Sequence, residues 1–307
     1  MKEHLIALQS SFERSYGNVA PWQKNKQLID AALKKTPQYK LYKEAGLTEA
    51  QIRDSLSIKQ DTELFQWEGD TIKKASVIDS LQHYLKFLNT GMLSVDPKTG
   101  GAIRSYIGGI DYRYFKYDHV SQSERQVGST FKPFVYTAAI ENGMKPCTYF
   151  SLAEVAYSNF NNWTPSNSGG ENEDPHLNYN LEMALSNSVN TIAVKVLNEV
   201  GIPKVLEQAK RIGIKKELPN LPSIALGVAE INLKELTGAY ASYVNDSKPV
   251  TPYAITKVTD RNGRIIAEFK PEEAEPAFKD YTRQVMLEIM QSTVNKGTAS
   301  RLRSTYS

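Results

Sequence analysis

One short segment, residues 125–134 with the sequence RQVGSTFKPF, constrains the fold more than any other part of this chain. Proline has no N–H, so within a helix it is tolerated only in the first turn. Because an apolar run follows Pro133 as far as residue 140, we expect a helix that begins close to this proline. Ser129 then lies at the N-terminal edge of that helix, and Gly128 permits a tight turn into it.

Ser129 and Lys132 form an S-x-x-K pair at this predicted helix start. Residues at i and i+3 share one helix face, so we expect the Lys132 amine within hydrogen-bond reach of the Ser129 hydroxyl. A serine hydroxyl becomes a good nucleophile when a base takes its proton, and a partly desolvated lysine can be that base. An isolated S-x-x-K would be interpreted as a capping serine beside a solvated lysine, since about one chance match is expected at this chain length.

A second polar motif, Ser188-Val189-Asn190, follows later in the chain. Apolar residues at helical spacing flank it within residues 181–194, which predicts two helices joined by a short loop. Such a loop could direct a serine hydroxyl and an asparagine amide into a cleft. Taken alone, S-x-N is most often a helix cap. S-x-x-K followed by S-x-N, however, is two thirds of the motif set of penicillin-recognising serine enzymes.

With both motifs in place, the chain resembles the transpeptidase domain of bifunctional (class A) penicillin-binding proteins, which cross-link bacterial peptidoglycan. The resemblance runs from about residue 88 to the C-terminus. It implies an α+β fold of the penicillin-binding and serine β-lactamase type, with a helical region and an antiparallel sheet on either side of a cleft. Besides residues 125–134, the matching segments are 108–112 (GGIDY), 163–167 (WTPSN), 184–194, 225–227 (ALG) and 239–241 (AYA).

The resemblance also implies a role for each motif residue. Ser129 would be the acylated nucleophile, attacking the carbonyl between two D-alanines of a stem peptide or the ring of a β-lactam. Lys132 would be the general base, and Ser188 would relay a proton to the leaving amine. Asn190 would hydrogen-bond both Lys132 and the substrate amide, and the Ser129 backbone N–H would form half of an oxyanion hole. No cofactor is implied.

The family's third motif, K-T-G or K-S-G on a strand beside the cleft, does not follow Asn190. Residues 98–100 spell KTG but precede the nucleophile and follow Asp96-Pro97, so we interpret them as a hairpin turn. Residues 296–299 (KGTA) resemble the segment that precedes the K-T-G strand in the family. We therefore expect the chain to stop before that strand, which would leave a sheet edge uncovered and the oxyanion hole short of one donor. This chain should be weakly active or inactive, and its longer parent active.

Residues 1–87 are expected to form a linker subdomain between an absent glycosyltransferase domain and the transpeptidase domain of residues 88–307. They show helical patterns at 3–16, 25–35 and 76–88 and a strand pattern at 62–69. No run of about 18 apolar residues is present. The resemblance implies an extracytoplasmic parent protein that carries a membrane anchor and a glycosyltransferase upstream of this region.

Composition excludes several other classes of protein. The formal net charge is +3 and the basic residues are mixed with acidic ones, which argues against a nucleic-acid partner. Cys147 is the single cysteine, so no intrachain disulfide can form, and we expect a buried thiol. The histidines have no metal-ligand spacing, so no metal is predicted; they are His4, His83, His119 and His176.

Three alternatives share part of this evidence. A serine β-lactamase or β-lactam sensor also carries S-x-x-K, and it would turn penicillin over rapidly or serve as a receptor. A non-catalytic peptidoglycan-binding or scaffold module would fit the missing third motif. A serine hydrolase with a histidine base fits least, because no histidine or serine lies in a context such as G-x-S-x-G.

Overall fold

The computed structural model describes residues 2–16, 26–167 and 174–306, and the chain divides into two compact units. Unit 1 comprises Met1–Thr90 together with Gly109–Lys116. Unit 2 comprises Gly91–Gly108 together with Tyr117–Ser307. Residues 109–116, which follow the predicted domain boundary in sequence, thus belong with the N-terminal unit.

Unit 1 contains five helices and one β-hairpin among its described residues. The helices are α1 (Lys2–Tyr16), α2 (Lys26–Lys34), α3 (Pro37–Glu44), α4 (Glu49–Leu56) and α5 (Val77–Leu85), and the antiparallel strands are β1 (Gln60–Leu64) and β2 (Thr71–Ala75). The three predicted helices are confirmed, although residue 25 lies outside the described residues. The predicted strand over 62–69 was too long, because the Gly69 N–H bonds to the Gln66 carbonyl in a turn that leads back to β2.

Aromatic packing holds residues 109–116 to unit 1. The Phe65 ring lies 5.8 Å from the ring of Tyr114 and 5.5 Å from that of Phe115. Arg113 also forms an ion pair of 2.9 Å with Asp70. Unit 1 is therefore assembled from two segments that lie on either side of residues 91–108 in sequence.

Unit 2 is a helical core with short antiparallel ladders. Its helices are α6 (Lys132–Glu141), α7 (Leu181–Ser186), α8 (Asn190–Val200), α9 (Ile202–Arg211), α10 (Leu233–Ala241), α11 (Asp280–Asn295) and α12 (Arg301–Tyr306). Its strands are β3 (Met92–Asp96), β4 (Ala102–Ile107), β5 (Glu124–Gln126), β6 (Phe150–Ser151), β7 (Asn178–Tyr179), β8 (Glu230–Asn232), β9 (Lys257–Thr259) and β10 (Ile265–Glu268). The ladders pair β3 with β4, β5 with β8, β6 with β7 and β9 with β10, all antiparallel.

Helix α6 is the centre of unit 2. Every residue from Lys132 to Ile140 is buried, as expected for a helix that is apolar on all sides. A 3₁₀ turn, Gly128–Phe131, leads directly into it, and Gly128 has the positive φ of 56° that the tight turn requires. The prediction that a helix begins beside Pro133, with Ser129 at its N-terminal edge, is confirmed.

The other local predictions have mixed outcomes. Residues 97–99 form a 3₁₀ turn between β3 and β4, so the interpretation of KTG at 98–100 as a hairpin turn is confirmed. The expectation of a buried Cys147 is wrong, because this residue lies in the turn after α6 and its side chain is exposed. Within the described part of the chain, no helix combines the length and apolarity needed to cross a membrane. The same residues contain no group of three or more histidine, cysteine or acidic side chains that could hold a metal ion.

Candidate active site

Ser129 lies exposed in the 3₁₀ turn before α6. No described residue accepts a hydrogen bond from its backbone N–H. Lys132, one turn later, is in the opposite environment, with a relative exposure of 0%. The S-x-x-K pair thus places a solvent-accessible hydroxyl at the mouth of the site and a fully buried amine behind it.

Backbone contacts with the segment around Gly227 hold the turn in place. The Val127 N–H bonds to the Ala229 carbonyl at 3.0 Å, and the Gly128 N–H bonds to the Gly227 carbonyl at 3.0 Å. Gly227 has a φ of 74°, and a Cβ added there would lie 1.9 Å from the Gly128 carbonyl oxygen. Only glycine therefore fits at this position while the turn keeps its place.

A side chain from α10 supports the same turn. The Tyr240 hydroxyl donates a hydrogen bond of 2.6 Å to the Thr130 carbonyl. The Tyr240 ring also packs 5.3 Å from the ring of Phe134, on the first turn of α6. Burial raises the pKa of Tyr240, so its hydroxyl remains a donor throughout the physiological pH range.

The Lys132 ammonium is directed at the S-x-N loop. It donates to the Ser188 carbonyl, to Ser188 Oγ at 3.0 Å and to Asn190 Oδ1 at 2.7 Å. Burial lowers the pKa of Lys132 from 10.5 to about 8. The lowered pKa lets this amine give up its proton near neutral pH more readily than an exposed lysine does.

The loop between α7 and α8 gives Ser188 its orientation, and the two predicted helices around the S-x-N motif are confirmed. Ser188 has a φ of 56°, in the left-handed region that serine rarely adopts. Its N–H bonds to the Leu185 carbonyl at 2.9 Å, which closes the C-terminus of α7. The strained backbone turns both the carbonyl and the hydroxyl of one residue toward Lys132.

Residues 163–167 position Asn190 at the start of α8. The Asn167 side-chain oxygen accepts from the backbone N–H groups of Asn190 at 2.9 Å and Thr191 at 3.1 Å, as a capping residue does. The Asn190 amide nitrogen donates to the Ser166 carbonyl at 3.0 Å. This bond fixes the amide plane, so the Asn190 oxygen faces Lys132.

Ser129 and Ser188 line the same cavity, which has a volume of about 290 Å³. Apolar side chains, including Leu185, Met290 and Val294, form most of its remaining wall. Thr298 reaches the cavity as well. It belongs to the KGTA segment noted in the sequence, which follows α11.

Close backbone packing holds the KGTA segment against the end of α7. The Thr298 N–H donates to the Ser186 carbonyl at 3.0 Å. A Cβ added to Gly297 would lie 2.3 Å from the same oxygen. An ion pair of 2.9 Å between Lys296 and Glu182 adds a side-chain link between the two helices.

The structure therefore brings the four predicted site residues together, with one difference in their connections. No hydrogen bond joins Ser129 to Lys132; the acceptors of the ammonium come from Ser188 and Asn190. Supporting residues that the sequence did not assign are Asn167, Gly227 and Tyr240. All three lie in segments that matched the resemblance, but the contacts that give them a role are long-range.

Two family models match this chain. The model of the penicillin binding protein transpeptidase domain matches residues 90–306, and that of the penicillin-binding protein middle domain matches residues 17–88. Penicillin-binding protein 1A of Neisseria lactamica is 35% identical over 222 residues, which cover 69% of this chain and 27% of the relative. The chain thus spans about a quarter of the length of that protein.

Solved structures agree on the fold. Penicillin-binding protein 1A from Haemophilus influenzae superposes with a TM-score of 0.66 at 24% identity, over 71% of this chain and 38% of that one. The imipenem acyl-enzyme complex of penicillin-binding protein A from M. tuberculosis superposes with a TM-score of 0.52 at 17% identity, over 58% of this chain and 45% of that one. The expected α+β transpeptidase fold is confirmed.

Proposed function

Because the chain belongs to the penicillin-binding protein transpeptidase family, we propose that it carries the acyl-transfer site of a peptidoglycan D,D-transpeptidase. In this proposal Ser129 forms an acyl-enzyme with the D-Ala-D-Ala stem peptide and reacts in the same way with β-lactams. The observation that carries the proposal is the placement of the Lys132 ammonium, buried and bound by Ser188 and Asn190, behind a cavity that Ser129 and Ser188 share.

Acylation would begin when the Ser129 oxygen attacks the carbonyl carbon and its proton passes to neutral Lys132. Burial favours the neutral amine, which supports this role. The oxyanion of the tetrahedral intermediate would meet the unpaired Ser129 N–H at the start of α6, where the helix dipole also favours negative charge.

Collapse of the intermediate would break the bond to the terminal D-alanine. Ser188 Oγ lies 3.0 Å from the Lys132 nitrogen, so the hydroxyl could pass a proton from the ammonium to the departing amine. Asn190 would hold the ammonium in place through Oδ1 during this transfer. An acceptor amine would then attack the acyl-enzyme, forming the cross-link and releasing Ser129.

The test is the intact mass of the chain after incubation with benzylpenicillin, with Ser129→Ala alongside. We expect a stable adduct on the wild type alone. An equal adduct on Ser129→Ala would place the nucleophile elsewhere. A folded wild type that gives no adduct would show that Ser129, Lys132, Ser188 and Asn190 do not suffice.

The same proposal extends to the setting of the reaction. Cross-linking of peptidoglycan takes place in the cell wall, outside the cytoplasm, so the protein would act there. We further propose a bifunctional parent with an upstream glycosyltransferase domain and an N-terminal membrane anchor, on the class A resemblance alone; the similarity to proteins named penicillin-binding protein 1A is consistent with that class.

The alternatives are less well supported. The family match over residues 90–306 favours a transpeptidase over a β-lactamase, a β-lactam sensor or a non-catalytic scaffold. Penicillin hydrolysis without a lasting adduct would favour the β-lactamase. Binding of muropeptides by both wild type and Ser129→Ala, with no acylation of either, would favour the scaffold.

A further inference from the structure

Unit 2 contains a second cavity, of about 280 Å³, at the C-terminal end of α8. It shares no lining residue with the cavity that contains Ser129. Asn198 lines it, eight residues after Asn190 along the helix, which corresponds to roughly 12 Å of helix axis. We call it the α8–α9 cavity.

The polar side chains of the α8–α9 cavity are neutral and have no hydrogen-bond partner among the described residues. Asn159, Asn198 and Asn220 are exposed and line its rim, and their amide side chains make no hydrogen bond with any described residue, so all three are free to bind a ligand in place of water. Tyr157 is only 7% exposed, yet its hydroxyl likewise has no partner among the described residues. Each amide can both donate and accept, as can the phenol.

The rest of the wall is apolar and uncharged. Phe160, Pro203 and Pro222 contribute ring surfaces, and none of the described residues that line the cavity is acidic or basic. A phosphate, a carboxylate or an ammonium group would find no opposite charge among these lining residues, so the cavity favours a neutral ligand. A ligand with apolar C–H faces and several neutral hydroxyl or amide groups would match both kinds of surface.

We propose that the α8–α9 cavity binds one N-acetylated pyranose unit of a glycan. The volume suits a single sugar ring, below the usual size of a drug-sized pocket of about 300–1,000 Å³. The ring C–H faces would pack on Phe160 and the prolines, and the hydroxyl and acetamido groups would pair with the asparagine amides and Tyr157. This inference rests on the proposed function, because the glycan of the same polymer would supply the sugar.

The cavity also borders elements that build the active site. Its wall includes α8, which begins at Asn190, and Pro222, which begins the 3₁₀ turn Pro222–Leu226 immediately before Gly227. A glycan bound here would contact the supports of the acylation site while leaving the Ser129 cavity open to a stem peptide.

The test is an NMR titration of the ¹⁵N-labelled chain with N,N′-diacetylchitobiose, with cellobiose as the sugar that lacks acetamido groups. We expect a Kd on the order of 1 mM for the first, as for a weak single-ring contact, and at least threefold weaker binding of the second. The shifted amides of the wild type should cluster at Asn198, Gly201 and Asn220. Shifts confined to the Ser129 cavity, or no shifts at 20 mM sugar, would overturn the proposal.

Matched variants test the individual groups. Asn198→Ala and Tyr157→Phe should each weaken binding at least threefold, whereas Asn262→Ala, an exposed asparagine in the β9–β10 turn, should not change it. Equal binding by all three would refute the assigned contacts. Ser129→Ala should bind the sugar normally. Because the penicillin adduct is a separate measurement, sugar binding and acylation can fail independently.

Discussion

Replacing Gly227 with alanine should displace the turn that carries Ser129. The new Cβ would lie 1.9 Å from the Gly128 carbonyl oxygen, whereas real Cβ contacts are essentially never shorter than 3.0 Å. The Gly128 peptide must therefore move by at least 1.1 Å, the difference between these two distances. A misplacement of about 1 Å at a reacting group can cost about 100-fold in rate.

The same substitution should also reduce stability. Alanine at a φ of 74° is in the left-handed region, which costs roughly 1–2 kcal/mol. The hydrogen bond of 3.0 Å from the Gly128 N–H to the Gly227 carbonyl would be weakened, which adds about 0.5–1.5 kcal/mol. We expect the free energy of unfolding to fall by roughly 1.5–3.5 kcal/mol.

Gly143→Ala is the matched control for this prediction. Gly143 also has a positive φ, 95°, but a Cβ there would meet no atom within 4 Å. The Gly143→Ala variant should show the backbone strain of an alanine with a positive φ, without moving Ser129. The assays are urea unfolding and the rate of benzylpenicillin adduct formation by mass spectrometry. If Gly227→Ala acylates as fast as Gly143→Ala, the contact between Gly227 and Gly128 does not position the nucleophile.

Three further predictions concern the residues around Lys132. The pKa of Lys132 is about 8 in the folded chain and 10.5 when unperturbed, so the rate of adduct formation should rise up to pH 8 and then level off. Between pH 8 and 10.5 the unfolded chain binds more protons than the folded chain, so the free energy of unfolding should rise with pH over this range. Urea titrations should show this rise for the wild type and not for Lys132→Met. Ser188→Gly should relieve the backbone strain at a φ of 56°, so it should unfold at a higher temperature than Ser188→Ala. Both variants should slow acylation at least tenfold, because each lacks the hydroxyl. A Ser188→Gly variant that is less stable than Ser188→Ala would contradict this reasoning. Asn167→Ala should lose the cap of α8 and about 1 kcal/mol in thermal unfolding, whereas Asn167→Asp keeps an oxygen acceptor and should lose less.

The sequence predicts the local parts of the site well because short-range rules determine them. Pro133 restricts where α6 can begin, and the polar interruption at residues 186–190 marks the loop between α7 and α8. The partners of Lys132 could not be predicted by the same rules. The i, i+3 spacing brings its Cβ near that of Ser129, but four flexible methylene groups let the amine reach acceptors in a loop distant in sequence.

The supporting residues were missed for a related reason. Gly227 lies in a segment that matched the resemblance, yet nothing local shows that its missing side chain makes room for the Gly128 carbonyl. Cys147 was misjudged because the preference of free cysteine for buried positions is statistical, and here the turn after α6 places it at the surface.

Both close approaches at the site are made by backbone atoms. Gly227 packs on the Gly128 peptide, and Gly297 packs on the Ser186 carbonyl, where a Cβ would lie 2.3 Å away. The first contact places the turn of Ser129, and the second places Thr298 at the same cavity. Since the reacting side chains contribute little to either contact, a change such as Ser129→Ala should abolish acylation and leave both backbone contacts intact. Replacing Gly227 or Gly297 with alanine should instead keep every reactive side chain but displace the segment that carries it.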